Sequence, residues 1–247
     1  MGNRTTLLGL NVAVDWWMGL FIGGVVVVPS TCFLTTVPHH PALVGIYGAS
    51  FAYLYAGLEM CLAVASVVLL CATVFCDPGF VFPERWALRR HDMLLTMEQE
   101  FDPAMDVHFC PVCLLFLSRY DHHCPILGAC IGKRNLWSFV LFCTSVSVMC
   151  ILSVPATITF LVQTVQLPSS VPSVEHVLLL VSFDLLKALF ALGGAFYGGG
   201  YCTVLAITYW VHIFNNQHSY ARRRAAYVAE SQAADDLLPR SNKRWLS

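Results

Sequence analysis

Four long apolar runs organise the chain, and the segments between them are either short and free of basic residues or long and polar. The runs lie near Asp15 to Leu34, Ile46 to Phe75, Leu136 to Val165 and Val177 to Phe214. Each can form a helix that crosses the hydrocarbon layer, which takes about 20 residues. The second and fourth exceed that length, which predicts tilt or extension into water at one end. The first run is full length and three more follow it, so it reads as a span and not as a cleaved signal. The expected fold is an all-α integral membrane protein of four transmembrane helices. Its expected segments are an N-terminus at 1–14, helices 1 and 2 within 15–76, a loop at 77–135, helices 3 and 4 within 136–214, and a tail at 215–247.

Composition agrees, with 57% hydrophobic residues, 12% charged residues and a mean hydropathy of +0.66. Charge then gives an orientation, because Lys and Arg in short loops stay on the cytosolic side. Of the 14 basic residues, Arg4 precedes the first run, and Arg85, Arg89, Arg90, Arg119, Lys133 and Arg134 lie between the second and third. Arg222, Arg223, Arg224, Arg240, Lys243 and Arg244 follow the fourth. The connections at Val37 to Leu43 and Gln166 to His176 hold none. Both termini and the 77–135 loop are therefore expected in the cytosol. This topological bias leaves no case for nucleic acid as a partner, and Arg222 to Arg224 read as an anchor against anionic lipid. Glu59, Asp184 and Lys187 are too few to line a solute path, and the i, i+3 spacing of Asp184 and Lys187 predicts a pair.

Chemistry concentrates in the middle loop. Tyr120 to Cys130 reads YDHHCPILGAC. A cysteine attacks as its thiolate, and a neighbouring imidazole oriented by a carboxylate is a common means of generating one. Upstream, Cys110 and Cys113 form a C-x-x-C pair, and His123 and Cys130 complete C-x2-C-x9-H-x6-C. Zinc takes four N or S donors tetrahedrally, so these four are candidate metal ligands, with His108 as a spare. In the cytosol such thiols stay reduced. Cys32, Cys61, Cys71, Cys143, Cys150 and Cys202 fall in the apolar runs and pack there as small hydrophobes. Cys76, at the end of the second run, fits packing as well as acylation. Met1 to Thr6 matches a myristoylation pattern at Gly2.

With topology and motifs combined, the sequence resembles the DHHC family of protein S-acyltransferases. The resemblance rests on the four-span layout, on Asp77-Pro78-Gly79 just after the second run, and on DHHCPILGACIGKRNLWSF from Asp121 to Phe139, including Gly132 and Asn135. It implies that Cys124 accepts a fatty acyl group, commonly palmitoyl, from acyl-CoA as a thioester before transfer to cysteines of cytosolic or membrane proteins. It implies His122 as the base and Asp121 as its orienting partner, with His123 and Cys130 as zinc ligands. Lys133 and Arg134 are expected near the CoA phosphates, with Arg89 and Arg90 as weaker candidates. An endomembrane site, Golgi or endoplasmic reticulum, or the plasma membrane is the corresponding expectation. Three departures accompany the match. Family loops carry a further His-Cys-x-x-Cys block and hold two zinc ions, whereas only LLFLSRY joins Cys113 to Asp121 here, so one site built from Cys110, Cys113, His123 and Cys130 is expected. Ile126 and Gly128-Ala129 stand where the family has Trp and Asn-Asn. The family's TTxE motif is not recognisable in NNQHSYARRR. The alternative to a working enzyme is a catalytically impaired scaffold or regulator of the same fold, or an incomplete gene model that lacks part of the zinc-binding block.

Overall fold

The computed structural model describes residues 5–7, 10–12, 15, 17–38, 41–81, 101–102, 107–113, 115–165, 183–215 and 229. The expectations for Gly2, Arg89, Arg90, Arg222 to Arg224 and residues 216–224 lie outside these. A small hairpin of β1 (Thr5–Leu7) and β2 (Leu10–Val12) comes first. The first span is α1 (Trp17–Thr36). It starts slightly later than expected, because Asp15 lies in a turn whose carbonyl accepts the Met18 N–H at 2.9 Å. A short α2 (Pro41–Tyr47) precedes the second span, α3 (Ala49–Phe75), and Gly48 separates them. The third span is α4 (Leu136–Val165). The fourth comprises α5 (Phe183–Gly194), a π-helical turn at Ala195–Gly199, and α6 (Gly200–Phe214). All four spans are long and apolar enough to cross a membrane, and the protein is a multi-pass membrane protein.

Half of the apolar window of α4 is buried, against 17% for α1, so α4 is the central post of the bundle. It packs against α3, α6 and the π turn, while α1 packs against α3 and α5. Some polar side chains inside the bundle pair across helices, as hydrocarbon offers no partner. Ser66 and Ser145 hydroxyls lie 2.9 Å apart between α3 and α4, and the Trp210 indole donates to Thr144 Oγ1 at 3.0 Å. Asp184 and Lys187 pair as expected, at 2.7 Å.

The π turn departs from the uniform helix that hydropathy alone predicts. Its neighbourhood reads GGAFYGGG, and each glycine costs about 1 kcal/mol in a helix interior relative to alanine. Packing compensates: a Cβ on Gly199 would sit 2.5 Å from Cys150 Sγ, so only glycine lets α4 approach this closely.

Between α3 and α4 the loop carries short antiparallel strands in addition to the helical framework. One sheet has β3 (Phe80–Val81), β6 (Leu115–Ser118), β5 (Val107–Cys110) and β4 (Phe101–Asp102) in that spatial order. A separate hairpin pairs β7 (His122–Cys124) with β8 (Ala129–Ile131). Its apolar side is continuous with the helical core, since Cys124, Leu127, Ala129 and Ile131 cluster with Val74, Phe139, Val140 and Cys143. The hairpin thus plugs one end of the bundle.

Candidate active site and metal centre

Successive side chains of a strand point to opposite faces, and β7 is only three residues long. His122 and Cys124 therefore share one face while His123 takes the other. The register sets His123 opposite Cys130 and Cys124 opposite Ala129. The intervening turn requires Gly128, at φ +62°, where a Cβ would meet the Asp15 carbonyl oxygen at 2.0 Å.

Three anchors hold the hairpin. The Asn135 amide, 1% exposed, donates through Nδ2 to the Thr73 carbonyl at 2.8 Å and the Cys130 carbonyl at 2.9 Å. Its Oδ1 accepts the Gly132 N–H at 2.9 Å, so one side chain ties α3, β8 and the start of α4. Asp77 accepts the Gly79 and Phe80 N–H groups through Oδ1 and pairs with Arg134 Nη1 at 2.7 Å through Oδ2. The Asp121 N–H donates to the Ile131 carbonyl at 2.9 Å.

On the first face, Asp121 Oδ2 accepts from His122 Nδ1 at 2.9 Å. The same oxygen accepts the Tyr209 hydroxyl at 2.5 Å, and that hydroxyl lies 3.2 Å from His122 Nδ1. Phe139 packs edge-on against both the His122 and Tyr209 rings. His122 and Cys124 lie on the same face of β7. Burial lowers the imidazole pKa, but the neighbouring Asp121 and Cys124 raise it by more, and it ends at about 9. This favours an imidazolium held against the Asp121 carboxylate. Tyr209 has no motif around it in an apolar run, and sequence reading missed it; a hydroxyl inside a span was its one signal.

Cys124, 7% exposed, lines a cavity of about 420 Å³ that runs between the spans. Its walls come from Met18, Ile22, Val26 and Phe33 of α1, Phe142, Val146 and Met149 of α4, and Ala195 and Gly199 of the π turn. Ile126 and Leu127 of the hairpin turn also line it. A thiol thus opens into a long apolar space.

On the opposite face the four expected ligands meet. Cys110, Cys113, His123 and Cys130 bring their donor atoms within 4.8 Å of one another. His123 Nδ1 lies 3.8 Å from Cys110 Sγ and 3.5 Å from both Cys113 Sγ and Cys130 Sγ, and the last two sulfurs are 3.3 Å apart. Tetrahedral zinc with bonds of about 2.0–2.3 Å separates its donors by roughly 3.5–3.8 Å, so the set fits zinc. Hydrogen bonding with its neighbours, Cys113 first, holds the Cys110 thiol far below its ordinary range, and its bond to Cys110 pushes Cys113 up to about 12. Cys130 is pushed up as well, chiefly by Cys110. Only a bound cation would let all three ionise this close together. The Cys113 N–H donates to Cys110 Sγ at 3.4 Å, closing the knuckle. His108 stays outside the cluster, stacked on Tyr120 with centroids 4.7 Å apart. Of the candidate CoA-binding residues, Lys133 is exposed, and Arg134 is 65% exposed while it pairs with Asp77.

Comparison with known proteins agrees with this arrangement. Residues 97–226, more than half of the chain, match the model of the DHHC palmitoyltransferase family. The chain is 28% identical over 159 residues to palmitoyltransferase ZDHHC22 of Rattus norvegicus, covering 58% of this chain and 59% of that protein. Human ZDHHC22 is 44% identical over 59 residues, 24% of this chain and 22% of the relative. Human palmitoyltransferase ZDHHC9 is 45% identical over 51 residues, 21% and 14% respectively. The chain thus spans less than two thirds of the length of these curated relatives.

Proposed function

The chain belongs to the DHHC palmitoyltransferase family, and on that premise we propose that it is a protein S-acyltransferase that carries a fatty acyl group on Cys124. The observation that carries this reading is the position of Cys124, on the same face of β7 as the Asp121-bound His122 and opening into the apolar cavity. His122 takes the Cys124 proton, and the thiolate attacks the thioester carbonyl of acyl-CoA. The bond to the CoA sulfur breaks, His122 returns the proton to that sulfur, and CoA leaves as its thiol. In the second half, His122 takes the proton of a protein cysteine whose thiolate attacks the acyl-Cys124 carbonyl, and Cys124 leaves reprotonated. Asp121 fixes the ring so that Nδ1 is engaged and the other nitrogen serves Cys124. Tyr209 positions Asp121.

Cys110, Cys113, His123 and Cys130 would hold one zinc ion, which stiffens the loop by tying the β5–β6 turn to the hairpin. Lys133 and Arg134 face the CoA phosphates, the spans house the acyl chain, and the loop with both termini faces the cytosol of an endomembrane or plasma membrane. The protein substrates are cysteine-bearing cytosolic or membrane proteins.

The test is incorporation of a clickable fatty acyl-CoA into purified protein, with Cys124→Ser and Cys124→Ala as controls. Hydroxylamine-sensitive label that is lost in both variants is the expected result. Folded wild-type protein without Cys124-dependent label overturns the reading.

A further inference from the structure

The cavity that Cys124 lines has a side as well as an end. A residue that lines a cavity and still keeps much of its surface outside borders an opening. Among the described lining residues, Phe21, Val25, Tyr197 and Tyr201 are exposed, Phe21 by 62% and Tyr197 by 87%, while the others are buried or half-buried. Two of the four belong to α1 and two to the fourth span.

Helix geometry puts these four on one gap. Residues two apart on a helix lie on nearly opposite faces. Gly19 and Gly23 face α3, where an added Cβ would meet Val74 and Leu70, so Phe21 and Val25 point away from α3. Gly199 faces α4 at Cys150, so Tyr197 and Tyr201, two residues before and after it, point away from α4. The two spans touch at one end of the gap, where a Cβ on Gly194 would meet Pro29 Cγ at 2.8 Å. α1 packs along α5 but barely meets the π turn and α6, so the spans part from the π turn toward the active site. Tyr209, bonded to Asp121, marks the catalytic level, and Tyr201 lies about 12 Å along the helix from it at about 1.5 Å per residue. Neither α1 nor residues 188–214 hold any Asp, Glu, Lys or Arg, so the gap faces hydrocarbon.

We propose that this gap is a side gate through which the acyl chain passes between the bilayer and the cavity, with Phe21, Val25, Tyr197 and Tyr201 as its lips. This rests on the assignment of the cavity as the acyl site. Each methylene carried through water costs about a fourfold factor in rate, whereas a chain that slides in sideways from the leaflet stays in hydrocarbon throughout.

Gly198 stands between Tyr197 and Gly199 and lines the cavity, and a Cβ there meets nothing within 4 Å. Gly198→Leu therefore adds a side chain to the gap, and Gly200→Leu makes the same change in open space off the lining. The test measures association and dissociation of parinaroyl-CoA, whose fluorescent long chain takes energy from tryptophan on binding. It uses Cys124→Ala protein, alone and with each glycine substitution, in phosphatidylcholine nanodiscs. Gly198→Leu should slow both rates by about tenfold, the factor for holding two methylenes in water, with Kd changed by less than about twofold. Gly200→Leu should match its parent. A weaker Kd without slower dissociation means a filled cavity and overturns the gate, as do unchanged rates or equal slowing by both substitutions. If Gly198→Leu loses the parent's thermal midpoint, Tyr197→Ala decides with the opposite sign: faster passage in both directions at constant Kd is expected, and unchanged rates overturn the gate. Cys124 label in the wild type with rates indifferent to the gap sinks the gate alone. Passage that depends on the gap without Cys124 label sinks the transferase reading alone.

Discussion

On the metal side of β7, His123 meets sulfurs of residues that are 0% to 2% exposed, held by an adjacent turn and the facing strand. On the other side, the His122 side chain is 35% exposed and depends on Tyr209, which a different transmembrane helix supplies. The first region is closed, local and saturated with sulfur. The second is open toward substrate and completed only when the bundle is assembled. Under the proposed function, two neighbouring histidines take opposite duties through the strand pleat, because what differs is the face and not the residue. Under the same proposal, the Cys/His side serves stability without touching the reacting atoms, and the His122 side can be altered with little loss of fold.

Paired substitutions probe that division most strongly. Cys130→Ser should remove zinc and with it both the loop's cooperative unfolding and all thioester formation, since the free energy of a structural metal is folding free energy. His122→Ala should keep zinc content and thermal midpoint while slowing thioester formation by roughly 10²–10⁴-fold, the usual worth of a positioned base. Metal analysis, thermal unfolding and single-turnover labelling on the two variants separate the faces. Equal loss of zinc in His122→Ala would merge them.

A smaller change asks how far the catalytic side depends on the bundle. Tyr209→Phe removes only the hydroxyl that Asp121 accepts. A hydrogen bond to a charged group is worth about 1.5–3 kcal/mol, so thioester formation at saturating acyl-CoA should slow by roughly tenfold or more. The acyl-CoA concentration for half-maximal rate, the zinc content and the thermal midpoint should stay near wild type. A change confined to that concentration would make Tyr209 part of the substrate pocket instead of a positioning residue.

Much of this was readable from the chain, for specific reasons. The four spans follow from run length, and residue types and spacing point to Cys110, Cys113, His123 and Cys130, which the structure brings together as a cluster that could hold a metal. Spacing could not exclude His108, because its stacking on Tyr120 joins residues of different segments. The loop strands have two to four residues, too few for a period-2 pattern to register. Glycines near Gly199 are visible in sequence, yet the π turn depends on the approach of Cys150 from α4. Tyr209 and Glu59 share this property. Each is an ordinary residue of an apolar run until folding sets it against Asp121 or into the cavity.

The smallest effect belongs to the ion pair between Asp77 and Arg134, at the boundary of the two regions. The side chains are 35% and 65% exposed, and pairs this open contribute only about 0.2–1 kcal/mol because water screens them. Asp77 also caps the Gly79 and Phe80 N–H groups through its other oxygen, so the two partners are not equivalent. Arg134→Ala should lower the thermal midpoint by no more than a degree or two, with any rate loss appearing as weaker acyl-CoA binding if the guanidinium also meets phosphate. Asp77→Ala should cost more, because it leaves the start of β3 uncapped where the loop leaves the membrane. If the two substitutions destabilise equally, the pair itself, and not the cap, is what fixes the loop to the bundle.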